Sequence, residues 1–244
     1  MKRITRCSVA LILAAGVILA QKPKSQKEVD ALRAIQMATT PDERMKAVDD
    51  LMAKFADTEF KAWAYEIAAE AAQSKNDSAK AQIYAGLALE ADPHNFQSMI
   101  VISSELASGT RENDLDKEEK LAKSEKYAKQ AIETINAAPA STLIPEPQWS
   151  SLKKDATGDA HRNLGMVASL RKKYDVAIAE FKQATEIAAS PDPANFIRLA
   201  AAYTDAGQPD NALTTLTKVP ASPPLQPFID KEKKRAEQAK ASKK

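Results

Sequence analysis

Glu66 and Glu70 stand one helical turn apart, a spacing at which two carboxylates can share a proton and work as general acid and base. That chemistry needs a neighbour or a dry setting to raise one of the two, and nothing close in sequence supplies it. Exposed acids at i, i+4 are far commoner on solvated helices than catalytic pairs. The two histidines, His94 and His161, are isolated. His94 falls in the turn Asp92-Pro93-His94-Asn95 and His161 at an inward-leaning helix position, so neither has the paired spacing of a zinc site. No glycine-rich phosphate loop, nucleophile elbow or cysteine–histidine arrangement occurs. The expectation is a non-enzymatic chain with no metal and no cofactor.

The N-terminus carries an address. Lys2, Arg3 and Arg6 precede an apolar run over residues 8–20 that contains no charge and ends at Ala20. A basic segment, a run of this length and a small residue at the end read as a secretory signal over residues 1–20. The run falls short of the roughly 20 apolar residues that a spanning helix needs. Ile18, three positions from the end, is bulkier than cleavage sites prefer, so an uncleaved membrane anchor stays open beside a periplasmic or secreted protein. Cys7, the single cysteine, follows Ile4-Thr5-Arg6 and does not match a lipoprotein cleavage box. A processed chain has no disulfide available, and packing must stabilise it.

The overall net charge of +2 is an average over unlike parts. Residues 21–230 hold 25 basic and 31 acidic residues, a net of −6, while residues 231–244 hold seven basic and two acidic. An acidic body argues against a nucleic-acid partner, which would require a basic face. The basic tail suits a solvated helix end, or weak contact with a membrane surface.

Helices must position whatever these residues do. Alanine is abundant, glycine numbers only six, and no run alternates with period two. Small and apolar residues recur at an interval of 34: Ala34, Ala68 and Ile102; Ala38, Ala72 and Leu106; Ala47 and Ala81. With one residue added, Leu164/Leu199, Gly165/Ala200, Ala177/Ala212 and Phe181/Leu216 repeat it. Such a period indicates stacked helical hairpins, none able to bury its apolar face alone. Tyr65, Ala68, Ala69 and Ala72 form one helical stripe, Ala81, Ala85 and Ala88 a second, and Pro93 stops it. Thr40-Pro-Asp-Glu43 is a capping box with proline at the first helical position.

Ala-Leu-Glu-Ala-Asp-Pro-His-Asn, ending at Asn95, resembles the end of a tetratricopeptide repeat. Leu164-Gly165, Ala177, Phe181 and Ala184, with Lys173-Tyr174-Asp175-Val176-Ala177-Ile178, resemble that family more fully. Leu199, Ala200, Tyr203, Ala212 and Leu216 continue it. The resemblance implies an all-α fold: an α-solenoid of stacked helix–turn–helix hairpins, a right-handed superhelix with a C-terminal capping helix. An N-terminal sub-array over 21–136 would hold units at about 28–61, 62–95 and 96–136, the last interrupted by a polar insertion near 108–116. A proline-rich linker at 137–147 would separate it from a C-terminal sub-array over 148–226, with units at about 158–191 and 193–226. A basic capping helix would occupy 227–244, with Phe228 and Ile229 docked and the charged remainder in water. The linker and insertion predict two packed sub-arrays or a kink, and Trp149 is expected to pack against the preceding hairpin.

In this family the first helix of each hairpin lines a concave groove that binds peptide. Carried over, the groove residues are Trp63, Glu66, Glu70 and Gln73, then Gln97, Ile100 and Ser104. Arg162, Asn163, Met166 and Ser169 follow, and finally Ile197, Arg198 and Thr204. Arg162, Asn163 and Arg198 partly resemble the basic and amide clamp that holds a peptide's C-terminal carboxylate, chemistry that suits a guanidinium. The third unit departs from that pattern with Ile100 and Val101, and ordinary surface arginines are the alternative. The resemblance implies an exported scaffold for a peptide or protein partner, with cell-envelope assembly as one setting for it. The alternative is a self-associating module whose groove holds its own tail or a second copy.

Overall fold

The computed structural model describes residues 22–140, 144–220 and 222–242. The signal-like run and Cys7 lie outside the described residues. Eleven helices are described: α1 (Gln26–Met37), α2 (Pro41–Lys54), α3 (Lys61–Ser74), α4 (Ser78–Ala91), α5 (Phe96–Gly109), α6 (Lys117–Ala137), α7 (Glu146–Leu170), α8 (Tyr174–Glu186), α9 (Pro193–Asp205), α10 (Pro209–Leu216) and α11 (Gln226–Ala241). Each hairpin packs internally and on the next in sequence order, and α11 closes the series on α9 and α10. Among the described residues no helix is long and apolar enough to cross a membrane.

Local chemistry sets the boundaries. The Thr40 hydroxyl accepts from Glu43 N at 3.2 Å while the Glu43 carboxylate accepts from Thr40 N at 3.0 Å, the reciprocal box expected from sequence. The side chains of Ser25, Asp77, Asn95 and Asp192 cap α1, α4, α5 and α9 more simply, each accepting from a backbone N–H of the first turn. At the turns after α3, α7 and α9, Asn76, Lys172 and Gly207 take left-handed φ values of 61°, 60° and 71°. Each turn ends its helix with the same closing bonds, such as Lys173 N to Ala168 O at 2.9 Å and Gln208 N to Tyr203 O at 2.8 Å. Glycine alone takes this conformation without strain, and only the last turn uses it. Lys172→Gly is therefore expected to raise stability by about 0.5–1 kcal/mol, seen as a higher thermal midpoint. The exposed ion pair it removes, Lys172 to Glu112 at 3.0 Å, subtracts little.

The periodic alanines meet where helices touch: Ala68, Ala72, Ala81, Ala177, Ala200 and Ala212 are fully buried. The first hairpin departs from this. Ala34 is exposed and Ala38 and Ala47 are half-buried, because no described element packs over this side of the first hairpin. Leu32, Ile35, Met45, Val48 and Leu51 form its core instead.

The third hairpin differs more. α5 is buried on all sides from Ser98 to Ala107. α7, at 25 residues, lies across its inner face, and Met99 and Ile100 share a core with Ala131, Ile135, Ala156 and Ala160. The helices on either side of the proline connector thus meet in one core. Trp149 packs on Phe96 at 6.4 Å between ring centroids, and its indole N–H donates to Pro139 O at 3.0 Å.

At the last helix Leu225, Glu232 and Ala236 are buried, and Phe228 and Ile229 are half-buried. Glu232 can enter because Thr204 Oγ1 donates to it at 2.7 Å and Arg235 Nη1 pairs with it at 2.9 Å.

Candidate interaction groove

The inner helices α3, α7 and α9 carry the charged residues that sequence singled out, in two groups separated by buried α5. In the first group, Glu66 and Glu70 are half-buried on α3. Asn95, the cap of α5, donates its Nδ2 to Glu66 Oε2 at 2.7 Å, and Gln73 Nε2 donates to buried Glu105 Oε1 at 2.7 Å. Burial pushes the Glu66 carboxyl up to about 7, with the Asn95 bond opposing and Asp92 adding to the rise. Burial pushes Glu70 up to about 8, with Glu66 adding and Arg44 opposing. Nothing close in sequence raises this pair, as expected; what raises it is the partial burial of the two carboxyls. Its neighbours come from α2 and the α4–α5 turn, far from Glu66 along the chain, and two carboxyls this close cannot ionise independently.

Trp63, on the same face, is a core residue at 5% exposure, its indole nitrogen without a hydrogen-bond partner among the described residues. Ile100 and Ser104 are buried beneath α7 and line no groove, while Gln97 is half-buried.

In the second group, Asn163 is wholly buried. Its Nδ2 donates to Ile100 O at 3.1 Å, tying α7 to α5, so it is an inter-hairpin bracket rather than a groove-facing amide. Its Oδ1 accepts from Arg162 Nε at 3.2 Å and Nη2 at 3.1 Å, and Arg162 Nη1 pairs with Asp159 at 2.8 Å. Arg198 is also held by a buried amide on its own helix, Nη1 donating to Asn195 Oδ1 at 3.0 Å. Met166 is half-buried between two cores, Ser169 and Ile197 are half-buried, and Thr204 is covered by α11. Sequence reasoning does not single out Asn195 and Asp159, whose i, i+3 spacing to Arg198 and Arg162 is the signal for such pairs.

His161 Nδ1 lies 2.7 Å from Glu180 Oε2 on α8, inside its own hairpin. Among the described residues no three metal-ligating side chains gather. Open clefts lie elsewhere, one between the α5–α6 and α7–α8 turns around Glu112, Lys117 and Lys172, the other on the outer face of the first hairpin. The tail helix α11 stacks at the end of the array, on α9 and α10.

The chain is similar in structure to a thermophilic TPR protein of Thermus thermophilus, with a TM-score of 0.57 over 87% of this chain and 96% of that one. This chain has the tetratricopeptide-repeat fold. The identity is 16%, so the TPR likeness extends to the fold. No family model matches the sequence, and no curated protein matches it. TPR packing explains why Gly165 faces Phe181 and why small residues recur at every hairpin contact.

Proposed function

We propose that the chain is a non-enzymatic scaffold that holds a peptide or protein segment against its inner helices, and that residues 1–20 direct it to the periplasm or outside the cell. One observation carries the binding reading: Arg162 and Arg198 are each fixed by a buried amide on their own helix. Arg162 keeps N–H groups on both terminal nitrogens beyond those bonds. A guanidinium held this way loses little freedom when it grips a carboxylate through two parallel bonds. The half-buried Glu66 and Glu70, raised to about 7 and about 8, give the other half of the inner surface carboxyls that are largely protonated at neutral pH and can donate hydrogen bonds to a bound segment. The TPR fold and the basic, apolar N-terminal run support the same reading.

Crosslinking in the native envelope identifies the segment held, and its affinity is then measured for Arg162→Glu combined with Arg198→Glu. The expected result is about a tenfold or greater loss of affinity, measured well below a melting temperature that itself falls because the buried Asn163 and Asn195 lose their arginine donors. Unchanged affinity counts against the groove.

A further inference from the structure

α7 is held on the third hairpin in two unlike ways. Its N-terminal half is packed: Ala156 and Ala160 share a core with Met99, Ile100, Ala131 and Ile135, and Asn163 closes that contact with its bond to Ile100 O. Its C-terminal end is held by charge. Arg171 forks onto Glu118 of α6, Nε donating to Oε2 at 3.1 Å and Nη2 to Oε1 at 2.5 Å, and Nη1 reaches Glu125 Oε2 at 2.5 Å. Glu118 and Glu125 lie about two turns apart on one face of α6, so a single guanidinium spans them. The apolar core beside this fork is small: Ala107, Leu121 and Val167 are buried, with Met166 and Leu170 at its edge.

We propose that Arg171, Glu118 and Glu125 form a salt-sensitive clip that sets the tilt of α7 on α6, and with it the angle between the last two hairpins and the first three. Glu118 is 71% exposed, so dissolved ions reach the fork and weaken it, whereas sodium chloride does not weaken the apolar contact around Ala160. With the clip open, α7 turns about the Asn163 bracket. The helix from Asn163 to Arg171 is an arm of about 12 Å, and a turn of about 15° carries its end about 3 Å. α8 and then α9 pack in series on α7 and move with it. Glu66 and Glu70 stay with the first three hairpins, so the clip governs how the two charged groups of the inner surface face one another. The tilt is a property of the free chain, and its test needs no bound segment.

Spin-label distances in the full chain provide that test. Labels are placed through Ile83→Cys on α4 and Val176→Cys on α8, both exposed, with Cys7→Ser so that no other thiol reacts. A single distance is expected at about 0.1 M salt and a change of about 3 Å or more at about 1 M, as the screening length falls from about 10 Å to about 3 Å. Arg171→Gln is expected to show the changed distance already at low salt and to lose most of the salt response. Glu118→Gln removes the forked acceptor from an exposed position without touching the core, and is expected to shift the distance in the same direction. It decides the matter if Arg171→Gln loses helix content. Lys46→Gln, which removes the Lys46–Asp50 pair within α2, is expected to change nothing. A distance that ignores salt and both clip variants overturns the proposal. So does a salt response that persists undiminished in Arg171→Gln.

Discussion

Gly165→Val is expected to cost about 3 kcal/mol of unfolding free energy. A Cβ at Gly165 would stand 2.7 Å from both Cδ1 and Cε1 of Phe181, far inside contact distance. The ring cannot withdraw, since Phe181 is 2% exposed and packed among Ala177, Leu199, Ala200 and Leu216. α7 and α8 would have to separate instead. Gly158, two turns earlier, makes the companion contact, its Cβ position lying 2.9 Å from Ala188 Cβ and 3.2 Å from Ala184 O. Gly86 is the control, because nothing lies within 4 Å of a Cβ there. Gly86→Ala is expected to gain up to about 1 kcal/mol from helix propensity alone. Urea unfolding of Gly165→Val, Phe181→Leu and the double variant checks the mechanism. The double variant should recover part of the loss, because the smaller side chain at 181 vacates the volume that valine needs. Strict additivity of the two costs would mean that the contact is not what confines position 165.

The second large effect is a pH dependence. Glu66 and Glu70 bind their protons more tightly in the folded protein than in the unfolded chain. Near pH 4 and below both states hold these protons, and the pair costs nothing. As pH rises from there toward 7 and 8, the unfolded chain releases protons that the folded protein keeps, so stability falls. Above that range both states are ionised and the full penalty stands. Each carboxyl keeps part of its surface in water, which reduces the expected fall between pH 5 and pH 8 to about 2 kcal/mol. Other carboxylates act in the opposite sense. Bonds from Lys117 and Lys172 hold Glu112 down at about 2, and bonds from Thr40 and Thr39 lower Glu43. Those contributions are present at neutral pH and disappear as acid protonates them. A stability maximum near pH 5 follows. Unfolding midpoints from pH 4 to pH 8 should show that maximum in the unaltered chain. In Glu70→Gln they should flatten on the alkaline side, with a gain of about 1–2 kcal/mol at pH 8. A flat wild-type profile, or a Glu70→Gln variant no more stable at pH 8, would show that the pair is fully hydrated.

These two predictions differ in how far ahead they could be read. Gly165, Ala177 and Phe181 were legible because the hairpin contact is local: its partners lie within about twenty residues and recur with the period. The raised carboxyls were not. Glu70 and Glu66 have the spacing of a solvated pair, and they are raised first by burial, then by Asp92 beside Glu66 and by Glu66 beside Glu70, while Asn95 and Arg44 oppose the rise. The same limit explains Asn163. Its position fits a groove-facing amide, yet its bond reaches Ile100, 63 residues away, and only the crossing of α7 over α5 makes that contact.

The sequence by itself determined the helical hairpins, their caps and turns, and the order of stacking, because each depends on residues one repeat apart or less. Tertiary structure decided which inner surface stays open, which alanines remain uncovered at the first hairpin, and which charged side chains lose water. Those outcomes depend on what packs over a helix from elsewhere in the chain, and a periodic pattern shows that a face is apolar without showing what covers it.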